Sequence, residues 1–173
     1  MQVTLAQFPE TMAADILQSV GLEPETDGGV QVTATLSGEP DRRRSARWRK
    51  RILLAGDKSC AFCGYDGMLG GAPVGLEAAH VRWINFNGPD DLDNGLALCS
   101  IHHKLLDRGA LGFTAPHTIA VSADFTARGP VARSVYRLHG SRLHPRPGTQ
   151  MPAEEHVAWH REEVFRTPAL DQT

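Results

Sequence analysis

The first 41 residues contain no lysine or arginine, against seven acidic residues (Glu10, Asp15, Glu23, Glu25, Asp27, Glu39 and Asp41). That absence excludes reading the near-neutral net charge of -2 as an even spread, because the positive charge is concentrated elsewhere. Long apolar runs are missing too. Nothing approaches the roughly 18 residues that a spanning helix needs, so no membrane protein is expected. The opening M-Q-V-T-L-A-Q-F-P-E lacks the basic and apolar regions of a signal peptide. Cysteines number three, which cannot all pair. Two of them stand in C-x-x-C, so metal thiolates in a reducing cytosol are expected rather than disulfides. Aromatics make up 6% of the 173 residues, enough for a modest core in one domain with extensions. Internal repeats and low-complexity tracts are absent.

The missing positive charge arrives at once after Asp41. Arg42, Arg43, Arg44, Arg47, Arg49, Lys50 and Arg51 fall within ten positions. A helix is expected over Ser45–Ala55, with Ser45 as its cap and Gly56 as its stop. Trp48, Ile52 and Ala55 then share one face. The opposite face is a basic stripe suited to a phosphate backbone; the alternative is a solvated face partnering the acidic segment. That acidic segment, 1–41, reads as an N-terminal helix and linker. Met12, Ile16 and Val20 form a stripe over Thr11–Val20, and alternation suggests a strand at Val30–Leu36. Residues 42–173 are expected to form the main domain.

Cys60 and Cys63 make one C-x-x-C pair, and Cys99 with His102 repeats the spacing with histidine last. These four are the donor set that a closed tetrahedral structural zinc site uses, the alternative being an iron or redox role. Strands are expected at Val74–His80 and Gly95–Cys99, with an irregular loop from Val81 to Asp93 between them. A helix Ser100–Arg108 follows, stopped by Gly109. His80, Asn94, His103 and Asp107 are left over from the zinc set. On the helix His103 and Asp107 lie four apart and share a face, where they could hold one catalytic divalent cation. His102 points about one hundred degrees away, toward the cysteines.

Hydrolysis of a phosphodiester needs a base for water and a cation at the phosphate. His80, at a strand end, is the candidate base. His103 and Asp107 are the candidate cation ligands, with Asp107 alternatively a structural partner near Arg108. Asn94 can bond backbone across the loop and orient His80, and Arg82 is a candidate phosphate clamp. Beyond Gly109 a strand pair is expected at Ala110–Thr114 and Thr118–Ala123. A basic Gly/Pro-rich tail should follow, carrying Arg128, Arg133, Arg137, Arg142 and Arg146 with Pro145 and Pro147, and then a helix Ala153–Arg166. His156 and His160 on that helix suit packing better than ligation. The bland reading of the whole is a non-catalytic zinc-containing DNA-binding module, which has no use for the leftover set.

The stretches E-A-A-H at 80, N-G-L-A-L-C from Asn94 and H-H-K-L-L-D-x-G from His102 resemble the HNH nucleases. The resemblance implies an α+β fold with a zinc-stapled ββα-metal core, flanking helices and a small antiparallel sheet. It also implies metal-dependent cutting of double-stranded DNA to 5′-phosphate and 3′-hydroxyl ends, with Mg2+, Mn2+, Co2+ or Ni2+ as the catalytic ion. His80, Asn94 and His103 fall on the motif's His, Asn and His. His102 stands where a fourth zinc cysteine is usual, and Ala79 where many members carry a metal-binding Asp. Glu77 is expected to point differently along the strand. A colicin-like toxin is disfavoured for want of a translocation segment.

The flanks F-P-E-T-M-A-A-D-I-L-Q-S-V-G-L, R-G-P-V-A-R and W-H-R-E-E-V-F resemble the C-terminal part of type IV restriction endonucleases, which read phosphorothioated or methylated DNA through a separate domain. The chain is expected to be a trimmed nuclease part, to work with a reader domain upstream or in trans, or to cut with little selectivity. It is expected in the bacterial cytoplasm, and a homodimer is one arrangement that would cut both strands.

Overall fold

The computed structural model describes residues 39–115, 117–144 and 150–171. The helix expected at Thr11–Val20, the strand at Val30–Leu36, and Pro145, Arg146 and Pro147 lie outside the described residues, as do the side chains of Arg42, Arg43 and Arg44. Helix α1 (Glu39–Ala55) starts six residues before the expected Ser45. The expected cap, Ser45, therefore falls inside the helix rather than at its start. Trp48, Ile52 and Ala55 are its buried stripe, while Arg47, Arg49, Lys50 and Arg51 are exposed.

A short hairpin, β1 (Met68–Leu69) with β2 (Ala72–Pro73), precedes the central pair. In that pair β3 (Leu76–His80) runs antiparallel to β4 (Gly95–Cys99), from Leu76 opposite Cys99 to His80 opposite Gly95. Two 3-10 turns, Ile84–Phe86 and Leu92–Asn94, shape the loop between them. Helix α2 (Ser100–Asp107) follows β4 without a break, completing strand, loop, strand, helix. A further antiparallel pair, β5 (Leu111–Ala115) with β6 (Thr118–Val121), then α3 (Pro130–Tyr136) and α4 (Glu154–Glu163), complete the described elements.

The core lies where α2, the β5–β6 pair and α4 meet the turn at 60–64. Phe62, Leu96, Leu98, Leu106, Leu111, Phe113, Ile119, Val121 and Val157 are fully buried there. Each such side chain stabilises the fold by about 1.5–3 kcal/mol on leaving water. The segment expected as a basic tail is instead part of this core. Its arginines at 128, 133, 137 and 142 are exposed, but Ala132, Val135, Leu138 and Leu143 between them are buried. The high arginine and proline content masked a helical spacing of small apolar anchors.

Helix α1 packs on the β3–β4 pair, and Gly95 sets how close it comes. A Cβ at Gly95 would stand 2.4 Å from Ile52 Cδ1 and 2.8 Å from the Trp48 ring. The glycine serves close approach here, since its backbone is ordinary extended strand at φ -138°.

Candidate active site

Donor atoms of Cys60, Cys63, Cys99 and His102 lie within 4.8 Å of one another. The tight turn at 60–64 presents the first two, tied to β4 by the Ala61 N–H on the Ala97 carbonyl. Cys99 ends β4 and His102 occupies the first turn of α2. His102 Nδ1 sits 3.4 Å from Cys60 Sγ and 3.3 Å from Cys99 Sγ. A zinc tetrahedron with bonds of about 2.3 Å to sulfur and about 2.0 Å to nitrogen has sulfur–nitrogen edges of about 3.5 Å. The donors also conflict unless a cation joins them. The hydrogen bond with Cys60, with burial added, pushes the Cys99 thiol up to about 11, while the same bond lowers Cys60. A central divalent ion holds three thiolates at once, so the set fits zinc.

His103, next in sequence to His102, faces a different neighbourhood. Its Nδ1 lies 2.6 Å from Glu77 Oε2, and Ser100 Oγ donates to the other Glu77 oxygen at 2.8 Å. Burial raises the Glu77 carboxyl, but these bonds from His103 and Ser100, with the charges of His103 and Arg49, outweigh it and hold the group below its usual range. Glu77 therefore points toward the candidate cation ligands, which corrects the expectation that it turns away. It and Ala79 are two apart on β3, and alternation sets such residues on one face.

The other ring nitrogen, Nε2, is 3.5 Å from Asp107 Oδ2. With Nδ1–H donated to Glu77, neutral His103 offers a lone pair at Nε2 to a carboxylate oxygen that is also an acceptor. Two acceptors at that distance call for a cation between them or for a protonated ring. An octahedral ion with bonds of about 2.1 Å places neighbouring ligands about 3 Å apart, and metal-bound histidines commonly donate their second N–H to a carboxylate. His103 and Asp107 therefore fit a divalent cation. Among the described residues the cluster of three or more converging donors is nevertheless the cysteine one.

His80 ends β3, with Nε2 2.9 Å from Asp90 Oδ1 and its ring stacked on Trp48 at 3.7 Å. Burial holds its pKa below the ordinary histidine value, the Asp90 hydrogen bond opposing that and the His103 charge adding to it. Asn94 is fully buried and bonds backbone. Its Oδ1 accepts the Arg82 N–H at 2.8 Å, and its Nδ2 donates to the Arg82 and Pro89 carbonyls, each at 2.9 Å. A Cβ on Gly88 would fall 1.9 Å from the Arg82 carbonyl oxygen, so the loop closes this tightly only with glycine there. Arg82 lends Nε to the Phe86 carbonyl at 2.7 Å and lies over the Trp159 ring.

The sequence pattern of the HNH endonuclease family matches residues 60–114. That stretch, about a third of the chain, is similar to the HNH endonuclease family. The match spans both donor sets, from Cys60 to β5. Among solved structures a "Modification dependent TagI restriction endonuclease" shares the fold over 69% of this chain and 38% of its own, at 22% identity and a TM-score of 0.54. The chain thus spans well under half the length of that protein. No curated protein matches it. The matched stretch contains β3, the loop, β4 and α2. Glu77, Asp90 and Trp48 are site neighbours that the spacing argument did not single out. Alternation from Ala79 was the available signal for Glu77. For Trp48, 32 positions before His80, no local signal exists.

Proposed function

We propose that this protein is a metal-dependent HNH DNA endonuclease that hydrolyses phosphodiester bonds. Its role is restriction of modified DNA, phosphorothioated or methylated, in the bacterial cytoplasm. The carrying observation is the arrangement of His103 between Glu77 and Asp107 beside a buried, carboxylate-bonded His80. A structural zinc module has no use for either imidazole.

His80 takes the proton of the attacking water, its lowered pKa keeping it neutral near pH 7. A divalent cation held by His103 and Asp107, Mg2+, Mn2+, Co2+ or Ni2+, supplies charge neutralisation at the phosphoryl and leaving 3′ oxygens. Glu77 orients His103 through its Nδ1–H. Asn94 holds the backbone just beyond His80. Arg82 and the exposed arginines of α1 bind phosphates flanking the cut. The 38% coverage of the structural relative leaves room for a modification-reading domain, upstream or as a separate partner, and a homodimer would cut both strands.

Nicking of supercoiled plasmid, with each metal added in turn, tests this on unmodified, methylated and phosphorothioated DNA. Cutting should need added metal and vanish in His80→Ala at unchanged zinc content. Binding without cutting under every metal would instead favour a zinc-containing DNA-binding module.

A further inference from the structure

His80 is held from two sides by groups that lie outside the His-Asn-His set. The Trp48 indole stacks on the imidazole at 3.7 Å between centroids and 7° between planes. Trp48 is nearly fully buried and its Nε1 donates to the Asp91 carbonyl at 3.0 Å. One residue earlier, Asp90 places Oδ1 2.9 Å from His80 Nε2. The indole therefore braces the ring and, through Asp91, the strand of loop that carries the carboxylate. Gly95 faces His80 across the β3–β4 pair and, lacking a Cβ, admits Trp48 to its seat.

An ionised carboxylate only accepts hydrogen bonds, so the hydrogen between Asp90 and His80 belongs to Nε2. In the neutral ring the lone pair then lies on Nδ1. We infer that Asp90 and Trp48 are positioning residues for the base, Asp90 selecting the tautomer that frees Nδ1 and Trp48 fixing the plane in which Nδ1 points. This rests on His80 being the base. It extends the working site into α1, before the HNH segment begins at residue 60.

In the step so organised, a water O–H proton passes to Nδ1 and the water oxygen bonds to phosphorus. The bond from phosphorus to the 3′ oxygen breaks, its electron pair leaving on that oxygen, which takes a proton from solvent. Asp90 faces the imidazolium so formed and stabilises it, as the carboxylate of a hydrolytic triad does.

The test measures single-turnover cutting at saturating DNA and metal, with DNA affinity, zinc content and melting temperature followed in the same samples. Asp90→Asn leaves size and loop contacts nearly intact, but its amide can donate to Nε2 and favour the wrong tautomer. A fall of about 10²-fold or more is expected, with affinity and zinc unchanged. Trp48→Phe keeps a ring face without the N–H and should fall less. The double variant His80→Ala with Asp90→Asn should be no slower than His80→Ala alone, because a residue acting through the base has nothing left to act on. Additive losses, or full-rate Asp90→Asn beside a dead His80→Ala, would overturn the positioning role and leave the base assignment standing. Retained cutting by His80→Ala would overturn the base assignment itself.

Discussion

The sulfur cluster and the imidazole–carboxylate cluster are built from interleaved residues, yet they are opposite kinds of site. In the first, four donors converge within 4.8 Å and meet chiefly one another. In the second, each histidine is paired with carboxylates, Glu77 and Asp107 for His103 and Asp90 for His80. Soft, converging donors suit a closed site for an ion such as zinc, whereas nitrogen and oxygen donors suit a harder cation with room for water. His102 faces the cysteines and His103, the next residue, faces Glu77 and Asp107. The roughly 100° turn from one helical residue to the next lets adjacent histidines serve different chemistries.

That contrast predicts unequal consequences. The largest is loss of the sulfur cluster. Cys99→Ser or zinc chelation should abolish cooperative thermal unfolding, because structural zinc contributes on the order of 10 kcal/mol of folding free energy. A chelated protein that melts like the wild type would place stability elsewhere.

Next comes the core behind both clusters, where His160 donates Nε2–H to the Leu106 carbonyl in full burial. Burial pushes its pKa down to about 4, the carbonyl bond opposing. An unfolded histidine titrates near 6.5, so between those values the unfolded chain binds a proton that the native state does not. Stability is thus complete above about pH 6.5 and falls as pH drops toward 4, by up to about 3 kcal/mol. Denaturant titrations across this window should show a shallower acid loss for His160→Gln. Acid release of any metal held by the cysteine set would be common to both proteins, so parallel curves would remove His160 from the account.

The smallest effect lies on the outer face of α1. Replacing Arg47 and Arg51 by glutamine should leave folding unchanged and reduce the slope of log affinity against log salt by about 0.9 for each phosphate no longer neutralised. An unaltered slope would mean that the stripe is simply solvated.

Much of the core was legible because its signals are local. The spacings at Cys60 and Cys99 name a metal cluster, and the run Gly95–Cys99 is bounded by Asn94 and the helix start, so β4 has the expected limits. What escaped depends on distance or on competing signals. Asp90 reads as one acid among several in a loop, and only the folded β3–β4 pair brings it to His80. Trp48 reads simply as a buried helix residue; its stack on His80 needs α1 laid across Gly95. Helix α3 was hidden because arginines surround Ala132 and Val135, although those two residues are buried.

The central claim, that neighbouring histidines belong to separate sites, is tested most directly by measuring bound zinc and metal-stimulated plasmid cutting in His103→Ala and His102→Ala side by side. His103→Ala should retain about one zinc per chain and a wild-type melt while losing cutting, and His102→Ala should lose zinc and fold together. Loss of zinc from His103→Ala, or full cutting by it, would contradict the division.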